Sequence, residues 1–398
     1  MMMEHSPESS QKRKSLLTPF LFLLILIAGI ALFAVPMGLS NLIRTIMNTA
    51  FSLLIDTCFY IMAIAVIMGA LDALLTEFGV VDLLNRLLNP LMRPLYGMPG
   101  AAALGVISTY LSDNPAILSL AEEKGFRKYF KKYQFYALTN LGTAFGMGII
   151  VSTFMLGLTI EGPHLVSAVL IGNLGAVIGS IVSTRLMIHS MKKIFSADEY
   201  AENIHVEPEA YFPDANLRKK KGPSLGMRVL TAALNGGKGG VEIGLSIIPG
   251  VLVVCTLVML LTKGPSADGT YTGAAYEGIL LLPRIAECLK VILQPLFGFA
   301  SPEAIAVPIT ALGSAGAATG IVREMALSGT VDSHDIAVFT AMCMCWSGYL
   351  STHASMMQTL KRPDLTGKAI ISHTIGGLAA GIAANWLFRL FLLLTGQA

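Results

Sequence analysis

The sequence predicts an all-α polytopic membrane protein: an inverted repeat of helices with two re-entrant helical hairpins and about seven full spans. Three observations carry this. Hydrophobic residues fill 54% of the 398 positions and charged residues only 13%, with a mean hydropathy of +0.67, whereas a soluble domain carries about 25% charged residues. Uninterrupted apolar runs of roughly 20 residues recur, the length a helix needs to cross about 30 Å of hydrocarbon. The motif Pro94-Leu95-Tyr96-Gly97 returns as Pro295-Leu296-Phe297-Gly298, 201 positions later (295 less 94).

The chain opens with Lys12, Arg13 and Lys14, followed by an apolar run from Leu16 to Met37. That run is longer than a secretory signal core and no small-x-small cleavage site follows it, so residues 1–48 are expected to be a cytoplasmic N-terminus and an uncleaved first span. Further spans are predicted at Thr49–Leu75, Tyr133–Leu158, His164–His189, Val241–Thr262, Ile336–Met357 and Ala369–Leu394. Lipid offers the backbone no hydrogen-bond partner, so these spans must be helical. Residues 49–191 read as the first repeat, 192–224 as a cytoplasmic linker, and 225–398 as the second, inverted repeat.

Within each repeat one apolar stretch is broken. Gly97–Lys124 is interrupted by Ser112-Asp113-Asn114-Pro115, and Gly298–Ser328 by Gly313-Ser314-Ala315-Gly316. Each half is too short to span, so hairpins over 97–124 and 298–328 are expected, with their tips at depth. Amphipathic stretches, Val80–Leu95 and Glu277–Leu296, precede them and should lie along the interfaces. Upstream, Phe51–Leu71 is expected to pair with Val241–Leu261.

Orientation follows from basic residues in short loops. Lys12 to Lys14, the cluster Lys124, Arg127, Lys128, Lys131 and Lys132, the loop with Lys192, Lys193 and Arg218 to Lys221, and the loop with Lys361, Arg362 and Lys368 all fall on the cytoplasmic side. The loops assigned outside, 161–164 and 263–273, hold one basic residue between them. The first hairpin then enters from the cytoplasm and the second from outside, which is the inverted arrangement of many secondary transporters.

Polar groups within apolar spans cost free energy and are functional candidates by default. At the first tip, Ser112, Asp113 and Asn114 offer oxygen ligands and a titratable carboxylate, Pro115 forces the break, and the half-helix that begins there presents free N–H groups. Asp113 or Asn114 is also a candidate cap for that half-helix. At the second tip, Gly313, Ser314 and Gly316 permit close approach of a ligand, or of another helix. Asn140 and Thr143 in one following span, and Ser347, Ser351, Thr352 and His353 in the other, form a polar face. Asp56, Asp113 and His353 are the candidates for ion coupling, and Asn173 and Glu242 are further intramembrane polar groups. Cys343, Cys345 and His353 invite a soft-metal reading, but residues two apart on a helix point to different faces. The five cysteines otherwise read as reduced packing residues, and no resident metal or cofactor is expected. Asn235-Gly236-Gly237-Lys238-Gly239-Gly240 lacks the phosphate-loop spacing and reads as a flexible entry into a span.

The run Leu111-Ser112-Asp113-Asn114-Pro115-Ala116-Ile117, preceded by Pro-Leu-Tyr-Gly, resembles the nucleoside recognition or Gate domain, present twice between Thr49 and Leu394. That domain occurs in spore maturation proteins A and B, in concentrative nucleoside transporters and in the membrane part of the ferrous iron transporter B. The chain has Asp113-Asn114 where the iron transporter's gates have Cys-Asn, which argues against iron. The tip Gly313–Ala317 does not carry the Gln/Thr and acidic pattern of nucleoside transporters. The resemblance implies a non-enzymatic, multi-pass protein of the bacterial inner membrane. The expected function is a secondary transporter for a small polar or anionic solute, nucleoside-like in class, working by alternating access. The alternatives are a non-transporting scaffold in sporulation or envelope maturation, and a metal-ion permease. Expected partners are a small-molecule substrate, the lipid bilayer, and a second copy or a second Gate-domain protein, with no nucleic acid.

Overall fold

A computed structural model describes residues 7–160, 163–202 and 224–396, with side chains described from Thr18 onward. The basic clusters Lys12 to Lys14 and Arg218 to Lys221 lie outside the described side chains, as do residues 161–162 of the expected outer loop.

Among the described residues the regular elements are all helices, apart from one isolated bridge between Lys131 and Tyr200. The first half holds α1 (Pro7–Met37), α2 (Leu39–Ser52), α3 (Phe59–Glu77), α4 (Val80–Leu91), α5 (Ala102–Leu111), α6 (Pro115–Glu122), α7 (Lys124–Arg127), α8 (Lys132–Thr143), α9 (Gly148–Leu156) and α10 (Leu165–Met191). The second holds α11 (Leu225–Gly250), α12 (Thr256–Thr262), α13 (Leu281–Cys288), α14 (Lys290–Phe297), α15 (Ala306–Ala311), α16 (Ala315–Leu327), α17 (Ser333–Trp346), α18 (Tyr349–Thr359) and α19 (Thr366–Leu394). A π turn joins α2 to α3 over Leu53–Cys58, and another joins α11 to α12 over Val251–Cys255.

The 201-position register runs far beyond the motif that reveals it. Val80 and Leu281, Lys132 and Ser333, Gly148 and Tyr349, and Leu165 and Thr366 each open a helix, and each pair is 201 apart (281 less 80 for the first). Left-handed backbone recurs at the same spacing: Gly79 with Leu280, Gly97 with Gly298, Met147 with Gly348. Upstream, the π turns begin 198 apart (251 less 53), so the pairing of Phe51–Leu71 with Val241–Leu261 is shifted from the observed register.

The two copies run in opposite directions. Gly175 packs on Ala380 and Gly179 on Gly376, so α10 and its counterpart α19 are antiparallel. A Cβ on Gly179 would lie 2.5 Å from the Gly376 carbonyl, and one on Gly376 would lie 2.8 Å from that of Gly179. Helices α3 and α11 cross the same way, Gly69 on Gly236 and Ala65 on Gly240. Lipid supplies no hydrophobic force between helices, so dispersion at such close backbone contacts holds the bundle. The stretch 235–240 is therefore not a flexible entry: it lies within α11, and its Gly236 and Gly240 form the crossing.

Among the described residues, six helical segments are long and apolar enough to cross a bilayer: Thr18–Met37, Leu39–Glu77, Lys132–Leu156, Leu165–Met191, Leu225–Thr262 and Pro363–Leu394. Lipid-type side chains such as Phe51, Val253 and Ile371 point outward from three of them. The expected span Ile336–Met357 is instead two helices, α17 and α18, parted at Ser347-Gly348. Lys132–Leu156 is parted likewise between α8 and α9. A 77° bend separates α14 from the Pro302–Ala311 segment. We read it as an interfacial helix turning into a hairpin, because Met92–Tyr96 precedes α5 at the equivalent place.

Both hairpins fold back on themselves. The Ile117 side chain reaches Gly105, where a Cβ would lie 2.2 Å from it, whereas twelve residues of straight helix would put them about 18 Å apart. Helices α15 and α16 pack on each other in the same way.

Candidate functional site

Four helix breaks meet at one place. They are the two hairpin tips, 112–114 and 312–314, and the two breaks in the spans that follow, 144–147 and 347–348. Proline starts α6, and glycine or an exceptional backbone opens the others: Met147 has φ 55°, Ser347 φ 20° and Gly348 φ 68°. Left-handed backbone costs a non-glycine residue about 1–3 kcal/mol and persists only where the surroundings over-determine it.

Cross-links tie the breaks together. The Asn114 amide donates from Nδ2 to the Ser347 carbonyl at 2.8 Å, and the Gly348 N–H donates to the Ala311 carbonyl at 2.9 Å. Gly146 is where it is because Asn114 leaves no room: a Cβ there would sit 1.9 Å from Asn114 Oδ1. Asn114 is buried, and its Oδ1 accepts no hydrogen bond. Asp113 is half-buried and accepts only the Asn114 N–H, at 2.7 Å. Neither side chain caps α6, so the capping role is absent there. In the other copy Ser314 does cap α16, accepting from the Ala317 N–H.

A cavity of about 480 Å³ opens at this junction, within the range of small-molecule sites. Of the sequence candidates it is lined by Asp113, Asn114, Gly313, Ser314, Gly316, Ser347 and Ser351, with Thr352 beside them. Hydroxyls from Ser246 and Ser355 complete the polar lining, and sequence reasoning missed both. Ser355 carried a signal, since it stands one helical turn after Ser351 on the same face. Among the described residues Asp113 is the only ionisable group in the lining. Helices both end and begin at the four breaks, so their dipoles oppose one another and that one carboxylate sets the charge.

The remaining candidates go elsewhere. Asn140 is buried and donates to Ser183 Oγ and the Ala369 carbonyl, both at 3.0 Å, binding α8 to α10 and α19. Thr143 meets Met356 Sδ at 3.8 Å, and Ser112 does not reach the cavity. His353 faces the core, its ring 4.8 Å from that of His373 and both its nitrogens without a partner. Helical geometry separates it from Ser351 and Ser355, because two residues along a helix turn a side chain by about 200°. Asp56 is exposed in the first π turn and accepts from Ser52 Oγ. Asn173 is held by Tyr110 and Ser152, while Glu242 is exposed. Cys343 and Cys345 are buried away from the cavity and form no metal-capable cluster with His353. Among the described residues such a cluster occurs only at Asp332, His334 and Asp335, where capping of α17 accounts for both carboxylates.

Residues 58–159, from the start of α3 to the loop after α9, match the family described as Gate, nucleoside recognition. This matched segment is about a quarter of the chain. It contains the first hairpin tip and the first broken span; the second copy lies outside the matched residues, and its kinship rests on the 201-position register. An uncharacterized protein of Alkalihalophilus pseudofirmus is 26% identical over 245 residues, 58% of this chain and 50% of that one. The chain thus spans about half the length of this curated relative. Among solved structures, a CNTnw variant in an outward-facing state superposes with a TM-score of 0.52 at 15% identity, over 84% of this chain and 75% of that one. CNTnw in an inward-facing substrate-bound state gives 0.51 at 13%, over 81% and 73%. The chain shares its fold with these CNT structures, and the protein is a multi-pass membrane protein.

Proposed function

We propose that the protein is a secondary transporter that moves a small, polar, nucleoside-sized solute across the bacterial inner membrane by alternating access, with its N-terminus in the cytoplasm. One observation carries the reading: four broken helices, two from each inverted copy, converge on a cavity lined by hydroxyls, an amide and a single carboxylate. Breaks at membrane depth leave backbone groups unpaired unless they line such a cavity, and a site between inverted repeats is the one place both copies can open in turn.

Its lining favours a neutral or cationic cargo over the anionic one expected from half-helix N-termini alone. An anion would meet Asp113 at close range with no lining cation to compensate. Hydroxyl and amide groups suit a solute rich in hydroxyls and amide-like edges, which supports the nucleoside class. Asp113 is the group placed to take up a coupling proton or cation.

The reading is tested by thermal unfolding of the purified protein against nucleosides, bases, and small organic cations and anions. Stabilisation by a neutral or cationic member, lost in Asp113→Asn, is the expected result. A well-folded sample that responds to nothing, or equally in both proteins, overturns it.

A further inference from the structure

A second cavity, of about 580 Å³, lies at the root of the first hairpin, away from the four breaks. Its walls come from the end of α4, the turn 97–100 leading into α5, the start of α8, and the segment around Tyr200. Arg93 and Lys131 face it, with Tyr129, Tyr133, Gln134 and Tyr200. Among the described residues neither cation meets a carboxylate, and Lys131 Nζ lies 5.7 Å from the Tyr200 ring centroid; the nearby Glu199 is held by Lys132 and Glu202 by Arg127. Helix α5 begins behind this wall, its first N–H groups already donating to the carbonyls of Pro99, Gly100 and Ala101, so the charge of the cavity comes from the two cations.

The inverted repeat supplies an internal control for what the fold requires here. At the equivalent place in the second copy the cavity shrinks to about 50 Å³. There Gln294 stands for Arg93, while Asp332, which stands for Lys131 in the 201-position register, lies outside the lining of the smaller cavity. Lys290, the one cation of that smaller cavity, is paired with Glu287 at 3.2 Å. Asp332 caps α17, accepting from the Asp335 N–H at 2.9 Å, the charge a helix N-terminus favours. Lys131 occupies the same capping position of α8 with the wrong sign. The architecture therefore stands without these two cations, and one of them opposes a helix dipole. Their presence in one copy alone points to a ligand.

We propose that this cavity binds the phosphate group of an anionic phospholipid headgroup. Two cations in a cavity lined by tyrosines and a glutamine are complementary to a phosphate diester. The lipid source is favoured by position: α4, which ends in this wall, exposes Leu83, Leu87 and Leu91 along one face, as an interfacial helix does. Basic pockets between spans on the positively charged side of a membrane protein suit such headgroups. The inference is independent of what the protein transports.

The test is thermal unfolding of the full chain in detergent with short-chain phosphatidylglycerol, phosphatidylcholine or glycerol phosphate. The variants are Arg93→Gln and Lys131→Asp, which carry the second copy's residues, and Lys124→Gln, an exposed lysine outside the cavity. Phosphatidylglycerol should raise the Tm of the wild type and of Lys124→Gln by several degrees, and by less than half as much in the other two. An undiminished shift in both Arg93→Gln and Lys131→Asp, an equal shift with phosphatidylcholine, or no shift in the wild type overturns the proposal. An equal shift with glycerol phosphate overturns the lipid source and assigns the same phosphate chemistry to a soluble ester.

Discussion

Asn114 shows how one side chain joins the two copies. Its amide reaches the Ser347 carbonyl, and Gly146 must lack a Cβ for the side chain to lie there. Gly146→Ala should therefore lower Tm by an amount equivalent to about 1–3 kcal/mol, the usual cost of overpacking, and should abolish cargo-induced stabilisation. Gly239→Ala, where nothing lies within 4 Å of the added atom, should leave Tm equal or higher by up to about 1 kcal/mol equivalent from helix propensity. Equal effects of the two substitutions in thermal unfolding would refute the close fit at Gly146. Sequence reasoning found Asp113 and Asn114 because a charge and an amide next to proline stand out in an apolar run. It placed His353 wrongly because a polar residue's presence in a span does not say which face it occupies.

At the scale of elements, the hairpins were legible and the broken spans were not. A Ser-Asp-Asn-Pro tip interrupts hydropathy, whereas Ala144-Phe145-Gly146-Met147-Gly148 stays apolar and small while the backbone turns left-handed at Met147. The glycines of α11 misled in the opposite sense, suggesting flexibility where close packing uses them. Gly236→Leu should thus destabilise by more than about 2 kcal/mol, since even a Cβ would lie 2.1 Å from the Gly69 carbonyl; a wild-type melting curve would contradict the crossing. The loop from Lys263 to Leu280 is ordered around Glu277. Burial alone would raise the Glu277 carboxyl, but donors from Thr272, Ser266 and Gly273 outweigh it and hold it at about 2, below the ordinary 4.5. The unfolded chain then takes up the proton first on acidification. The stabilisation is complete above about pH 4.5 and is lost as pH falls toward about 2. Tm measured across that window should fall with a slope that Glu277→Gln flattens, and an unchanged slope would contradict the assignment.

For the whole molecule, the decisive regularity is a gapless register of 201 positions from Gly79 through α10. Its first part was readable from Pro-Leu-Tyr-Gly and Pro-Leu-Phe-Gly. Its full extent was not, because the shared property is backbone geometry, which different side chains satisfy. Met147 and Gly348 are left-handed alike, and Asp113 and Ser314 occupy equivalent tips with unlike chemistry. One copy thus brings the charge and the other a neutral, glycine-lined wall, an asymmetry that composition alone conceals.

Alternating access at the four breaks is tested most directly by labelling Ser351→Cys in a Cys288→Ser background, since Cys288 is exposed and the other four native cysteines are buried. Proteoliposomes of each orientation would be treated with a membrane-impermeant thiol reagent. The expected result is labelling of residue 351 from both faces, with cargo altering the balance between them; labelling from one face alone under every condition would contradict the account.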